Sequence, residues 1–497
     1  MKSVLVANRG EIAVRVARAA ADVGWRTVMV FSEDDADAPH VHAGDRAVAL
    51  DGAGPRAYLS VGAVVDAAVG AGCGFVHPGY GFLSESAELA RACAHAGLTF
   101  VGPSAAALDL LGDKLASRAL ARRLGVAVPD GSEGTADAAE VARLLAAPPG
   151  GAVVIKAVAG GGGRGMRVVT HPGQTEEAWA RCRSEAESAF GRADVYVERF
   201  LPGRRHVEVQ VVADAGGGVV AVGDRECSLQ RRHQKLVELA PAPHLPDAVR
   251  AAIHEAALAL ARAAGCANLA TFEFLVDADD PAQWCFIEAN PRLQVEHTVT
   301  EEAYGVDLVQ AQLLLADGAA LPAALPMERP PLVPEAMAVQ LRVNAEEMAA
   351  DGSVRPGTGV LTRFDLPGGP GVRIDTAARV GTSVSARFDP LLAKLIVRLL
   401  RSDTDGRGPD RLVARAARAL SELVVEGVPT NRGLLTALLA RPEVAAGRVH
   451  TGFVDEKRAE LLDASASPSV PIATGPSVSG GLDVCAPLSS TVVSLDV

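Results

Sequence analysis

Four side chains able to do chemistry crowd the stretch from Phe286 to His297: Glu288, Asn290, Arg292 and Glu296. Phe286 and Ile287 read as the end of a strand, and the two-residue spacing then points Glu288 and Asn290 to one face. A carboxylate beside an amide carbonyl is a hard-oxygen site, of the kind Mg²⁺ uses when it also bridges phosphates. Upstream, Thr271–Val276 reads as another strand with one carboxylate, Glu273, in an apolar frame. The pair of strands can aim Glu273, Glu288 and Asn290 at shared metal ions. Arg292 can grip a small planar anion bidentately, and Glu296 is a candidate base. A hairpin with solvated charges would explain the alternation but not so dense a cluster.

A second set of residues is suited to phosphate. Lysine occurs only at Lys2, Lys114, Lys156, Lys235, Lys394 and Lys457, arginine supplying the remaining cations. So strong a bias keeps lysine for places where a compact point charge matters. Lys156 leaves the apolar strand Val153–Ile155 and runs into Gly160, Gly161, Gly162, Gly163, Arg164 and Gly165. Glycines let backbone N–H groups approach an anion closely. Lys114 opens a helix, a position the helix dipole disfavours, which points to a use beyond helix stability. Gln230, Arg231, Arg232, His233 and Lys235 crowd one short stretch of an otherwise acidic chain; a solvated basic loop is the bland reading. Lys394 reads as structural.

The elements that must position these residues follow from hydrophobic periodicity. Residues 1–112 alternate strand and helix, which implies βαβ units and a parallel sheet. The turn Asn8–Glu11 lacks the spacing of a dinucleotide fingerprint. Residues 113–330 form a central domain, with a glycine-bearing flap over about 132–204. His206–Val211 alternates polar and apolar residues, as a strand with one buried face. Residues 331–455 make a third, mixed α+β domain whose first strand carries Arg342. A linker follows over 456–481, rich in Ser, Pro, Gly and Ala from 464 onward.

These motifs, in this order, resemble those of biotin carboxylases, members of the ATP-grasp superfamily, over about residues 1–455. The resemblance implies an α/β fold with an N-terminal Rossmann-like domain, an ATP-grasp domain with a mobile glycine-rich lid, and a C-terminal domain. It implies an ATP- and bicarbonate-dependent ligase with Mg²⁺ or Mn²⁺ as metal. Lys114, Lys156, His206 and His233 would lie by the nucleotide, Glu198 would read the adenine amino edge, and Leu201 would pack on the base. Lys235, Arg292 and Gln230 would hold bicarbonate. Glu296 would deprotonate it, and Arg342 would stabilise the biotin enolate. No catalytic part is assigned to Glu238. The loop His77–Glu85 resembles one that faces the active site in that family. Residues 482–497 loosely resemble the start of a biotinyl carrier domain, which suggests a piece of a larger fusion.

The partners implied are a biotinyl carrier and a carboxyltransferase, with dimerisation through this module and an acetyl- or propionyl-CoA acceptor. A different ATP-grasp ligase would share the lysines, glycines and metal site but lack Arg292, Glu296 and Arg342 together. A nucleotide-sensing subunit would lack a metal ligand or the base. The net charge of −12 argues against a nucleic-acid partner. The chain has no apolar run long enough to cross a bilayer. Scattered cysteines and an opening segment that reads as a first strand lead to the expectation of a reduced, cytoplasmic protein.

Overall fold

The computed structural model describes residues 1–148, 151–159, 165–325, 333–403 and 407–466. The strands β1 (Ser3–Val6), β2 (Arg26–Phe31), β3 (Arg46–Ala49), β4 (Phe75–His77) and β5 (Thr99–Phe100) form one parallel sheet in the order β3-β2-β1-β4-β5. Helices α1 (Gly10–Asp22), α2 (Val61–Gly70) and α3 (Ala87–His95) are among the connections that return the chain, as parallel pairing requires. Strand order reverses at β1 and β4, so the loops leaving these strands open a crevice, the usual ligand position of such sheets. Asn8, just after β1, ties the two loops. Its Nδ2 donates to the carbonyls of Pro78 at 2.7 Å and Tyr80 at 2.8 Å. Gly79 lies between them at φ +63°, and a Cβ there would stand 2.8 Å from Asn8 Nδ2.

After α4 (Ala105–Gly112) and α5 (Lys114–Arg123), a small body is built from α6 (Ala138–Ala146), β6 (Val153–Ala157), β7 (Met166–Val169), α7 (Thr175–Phe190) and β8 (Val195–Arg199). Its antiparallel sheet runs β7-β6-β8, with a core of its own around Val141, Leu144, Ile155, Cys182 and Val197. Gly160–Gly163, the centre of the expected lid, lie outside the described residues.

Eight of the remaining strands make one sheet, and the other six pair off as three small two-stranded sheets among residues 346–426. The eight are β9 (Arg204–Ala213), β10 (Val219–Arg231), β11 (Gln234–Ala240), β12 (Asn268–Asp277), β13 (Trp284–Asn290), β14 (Ala336–Asn344), Val372–Thr376 and Leu391–Leu400. Their order is β13-β12-β9-β10-β11-β14, then Leu391–Leu400 and Val372–Thr376. Alternation sorts the two faces. Val207, Val209 and Val211 pack with Ile253 and Leu260 of α8 (Asp247–Ala263), while Val212, Val220 and Val222 share a core with Val299 and Ala303 of α9 (His297–Tyr304).

One expectation changes, and two further features emerge. The first strand of the third region joins the central sheet, because β14 pairs with β11 in the register Glu238 opposite Gln340. The stretch Cys227–Lys235 is no solvated loop: it is the end of β10, a tight turn at Arg232 and His233 with φ +46° and +67°, and the start of β11. The expected linker begins as structure, since helices Phe453–Glu456 and Arg458–Ala466 continue the fold and Leu461 is fully buried among Leu435 and Leu438. Apolar spacing there was outweighed by the neighbouring Ser and Ala content. Residues 467–497, with the carrier-like end, lie outside the described residues. Among the described residues no helix is long and apolar enough to cross a membrane.

Candidate functional site

Register alone builds an electrostatic problem in the middle of the large sheet. Glu288 on β13 lies opposite Glu273 on β12, Glu273 opposite Glu208 on β9, and Glu208 opposite Arg225 on β10. Like charges directly opposite on neighbouring strands repel, so cations must converge on the row. Lys235 Nζ does this. It donates to Glu208, to Glu296 Oε1 at 2.5 Å and to Glu273 Oε1 at 3.4 Å. His206 Nε2 lies 2.7 Å from the other oxygen of Glu273. Beneath them the fully buried Arg225 donates to Glu208, to Gln210 and Gln294 at 2.9 Å each, and to Thr300 and Thr271.

Glu296 occupies the N-cap of α9, where the helix dipole favours a carboxylate. Its second oxygen accepts from Arg342 Nη2 at 2.9 Å, and Arg342 Nε donates to Glu238 at 2.6 Å. Burial opposes ionisation of Glu296 and Glu273, but Lys235, with Arg342 at the first and His206 at the second, holds both below the usual carboxylate range. Burial likewise disfavours the ammonium of Lys235, and the carboxylates around it, Glu208, Glu273 and Glu296, push it well above its ordinary value. His206 is raised: burial works against its charge and Glu273 overrides it. The site is therefore an array of fixed, opposite charges.

The metal candidates come together. Asn290 Nδ2 donates to Glu273 at 2.7 Å, and Lys114 Nζ lies 3.0 Å from Glu288. Burial opposes ionisation of Glu288, and Lys114 leads the groups that lower it. Two ionised, in-register carboxylates and an amide oxygen fit a hard divalent cation; protein cations neutralise them in this structure. Arg292 reaches Asn290 Oδ1 at 3.1 Å and Glu85 at 2.6 Å. Gln230 pairs across the hairpin with Lys235, its Nε2 3.5 Å from His206 Nδ1. His233 is exposed at the hairpin turn, and Leu201 is half-buried just after β8.

Lys156 lies 2.5 Å from Glu198 Oε1, and Arg118 takes the other oxygen. Glu198 is 2% exposed. Its carboxylate thus anchors Lys156 on one oxygen and Arg118 on the other. Gly165, where the glycine run returns to β7, has φ +66°, and a Cβ there would sit 3.1 Å from that of Ala157.

Sequence reading missed Glu208, Arg225, Glu238, Gln294, Glu85 and Arg118. Glu208 had a signal, since it lies on the polar face of the alternating run His206–Val211. Arg225 and Glu238 had a weaker one, a charge inside an apolar strand. Arg118 and Glu85 act across long sequence separations, which a linear pattern does not encode.

Three family models match in order: "Biotin carboxylase, N-terminal domain" at residues 1–108, "Carbamoyl-phosphate synthase L chain, ATP binding domain" at 113–324, and "Biotin carboxylase C-terminal domain" at 340–456. The chain is 40% identical over 456 residues to biotin carboxylase of Nostoc sp., covering 91% of this chain and 98% of that one. It is 42% identical to the biotin-dependent acyl-coenzyme A carboxylase alpha3 subunit of Mycobacterium leprae, over 91% of this chain and 74% of that subunit. A solved structure of the biotin carboxylase domain dimer of Hydrogenobacter thermophilus 2-oxoglutarate carboxylase, in complex with MgADP, ADP and bicarbonate, superposes with a TM-score of 0.86. The match is at 35% identity and covers 93% of this chain and 98% of that one. The chain spans only 38% of the length of mouse mitochondrial pyruvate carboxylase. Matched in every domain and along nearly the full length of free biotin carboxylases, the chain belongs to the biotin carboxylase family.

Proposed function

We propose that this chain carboxylates biotin held on a carrier domain, using ATP and bicarbonate, as the first half-reaction of a biotin-dependent carboxylase. The observation that carries the reading is Lys235, which joins Glu208, Glu273 and Glu296 while Arg342 holds the far oxygen of Glu296. Such an array can hold a small anion next to a base and next to the metal carboxylates. Lys114 and Lys156 bind ATP phosphates. Glu273, Glu288 and Asn290 would hold Mg²⁺ or Mn²⁺, which neutralises phosphate charge during transfer.

Bicarbonate is a poor electrophile, so it is first phosphorylated to carboxyphosphate. Arg292, Lys235 and Gln230 orient it, and Glu296 takes its proton as its oxygen attacks the γ-phosphorus, whose bond to the bridging oxygen breaks to release ADP. General-base help of this kind is worth about 10²–10⁴-fold. Carboxyphosphate breaks down to CO₂ and phosphate, the phosphate takes the N1 proton of biotin, and Arg342 stabilises the enolate that attacks CO₂. The carrier and the carboxyltransferase belong to the same polypeptide or complex, and the module pairs as a dimer in the cytoplasm. We take acetyl- or propionyl-CoA as the final acceptor; the 42% identity to a mycobacterial acyl-coenzyme A carboxylase subunit speaks for the acyl-CoA class alone.

The test is ATP cleavage by the purified chain with bicarbonate and free biotin added singly and together. Cleavage that requires both, with carboxybiotin formed in step with phosphate, is expected. Cleavage indifferent to bicarbonate refutes the reading.

A further inference from the structure

Arg292 was read as a bidentate grip for bicarbonate, but its guanidinium is already engaged at each nitrogen. Nε donates to Glu85 Oε1 at 2.6 Å, Nη1 to the carbonyl of Leu293 at 3.2 Å and Nη2 to Asn290 Oδ1 at 3.1 Å. A guanidinium carries five N–H donors in a fixed plane. With three committed among the described residues, one N–H remains on Nη1 and one on Nη2. These two terminal donors suit a planar oxyanion. The three protein contacts set where the fork lies, and two of them come from the Arg292 segment itself.

The third, Glu85, comes from another domain. It lies in the loop that leaves β4 at the crevice of the N-terminal sheet. That loop is held firmly: Asn8 clasps Pro78 and Tyr80, Ser84 N donates to Gly81 O at 2.9 Å, Ser86 N donates to Leu83 O at 3.0 Å, and Ser86 Oγ caps α3 through Leu89 N. Glu85 therefore projects from a rigid support. Its side chain is 32% exposed and that of Arg292 is 18% exposed. An ion pair this open adds little to stability, so its weight falls on geometry.

We propose that Glu85 is a positioning residue for bicarbonate: by holding Nε of Arg292 it aims the two remaining N–H groups at the anion and makes the N-terminal domain part of the bicarbonate site. The proposal rests on the biotin carboxylase reading above. Glu85 touches no substrate and acts only through Arg292. Glu85→Gln keeps an acceptor for Nε without its charge, whereas Glu85→Ala leaves Nε without a partner and the guanidinium free to turn.

The experiment is steady-state ATP cleavage with free biotin, varying bicarbonate and ATP separately, on the wild-type chain, Glu85→Gln and Glu85→Ala, with a thermal melt of each. Glu85→Ala is expected to raise the KM for bicarbonate about tenfold, as misplacing a substrate contact does. Glu85→Gln should restore most of that loss, and the KM for ATP and the melting temperature should stay near wild type. An unchanged or lowered bicarbonate KM in Glu85→Ala overturns the proposal. So does an equal rise in both KM values, which would mark a general loosening of the cleft. If the wild-type chain itself shows no bicarbonate requirement, the functional reading fails first. If it does and Glu85→Ala is silent, only the role of Glu85 falls.

Discussion

Two buried charge networks lie side by side in this molecule. One is the candidate site, centred on Lys235 and Arg342. The other joins α1, α9 and the last two strands of the large sheet. In it Glu301 pairs with Arg15 at 2.9 Å and Arg373 at 2.8 Å, Arg373 grips Asp375 with two bonds, and Lys394 meets Glu11 at 3.2 Å. Lys394 Nζ also donates to the carbonyl of Val295, one residue before Glu296. Arg342 and Lys394 are register partners on neighbouring strands, so both project to one face. Their ends differ: the Lys394 side chain is 0% exposed, whereas those of Lys235 and Arg342 are 11% and 17% exposed. Buried charge alone does not mark a binding site. Cation tips open to a cleft, over sunken carboxylates, do.

The sharpest way to break this comparison is to remove one cation from each network. Lys235→Gln should lower bicarbonate-dependent ATP cleavage by on the order of a hundredfold to a thousandfold, the usual loss of a preorganised charge contact. Lys394→Met should leave activity per folded molecule within about threefold and instead cost about 3 kcal/mol of stability, as breaking a buried pair does. Glu11, pushed up to about 7 by burial against the pull of Lys394, would then fold protonated. Urea melts and specific activities of the soluble fractions decide the matter. Equal losses of activity in the two variants would erase the distinction.

Arg342→Ala tests the join between the half-reactions. Carboxybiotin formation should fall about a hundredfold. Bicarbonate-dependent ATP cleavage should feel the change as well, because Arg342 is bonded to Glu296. Removing a cation raises the pKa of a neighbouring carboxylate, so the acid limb of ATP cleavage should move to higher pH. Phosphate release followed from pH 7 down to the lowest pH at which the chain stays folded checks the direction, and a limb that stays put would detach Arg342 from Glu296.

The smallest effect concerns acid stability. Asp375 is lowered to about 2, burial being overcome by Lys394 and Arg373. A carboxylate whose folded pKa lies below its unfolded value contributes stability above the unfolded pKa and loses it as pH falls. The chain should therefore lose melting temperature from about pH 4 downward, through the window between ordinary and lowered carboxylate values. Lys394→Met should flatten that slope slightly, since Arg373 still holds Asp375. A steeper slope in the variant would contradict the pairing.

Much of this was legible in the linear chain, because some structure is periodic and local. The alternation His206–Val211 marked a strand with one polar face, the Glu288–Asn290 spacing marked a shared face, and the βαβ rhythm of residues 1–112 marked a parallel sheet. Lysine scarcity separated Lys114, Lys156 and Lys235 from ordinary surface cations, and Lys394, read as structural, is fully buried. Only the tertiary structure decided which strands are neighbours. A period of two says which face a residue takes but not what lies opposite it. The row Glu288–Glu273–Glu208–Arg225 therefore had to be folded to be seen, as did β14 joining β11 across an expected domain boundary. The same holds for Glu85 on Arg292 and for Arg342 beside Lys394. Their roles diverge because one tip meets the cleft and the other meets packed protein, a difference of a few ångströms in depth that residue type and spacing do not carry.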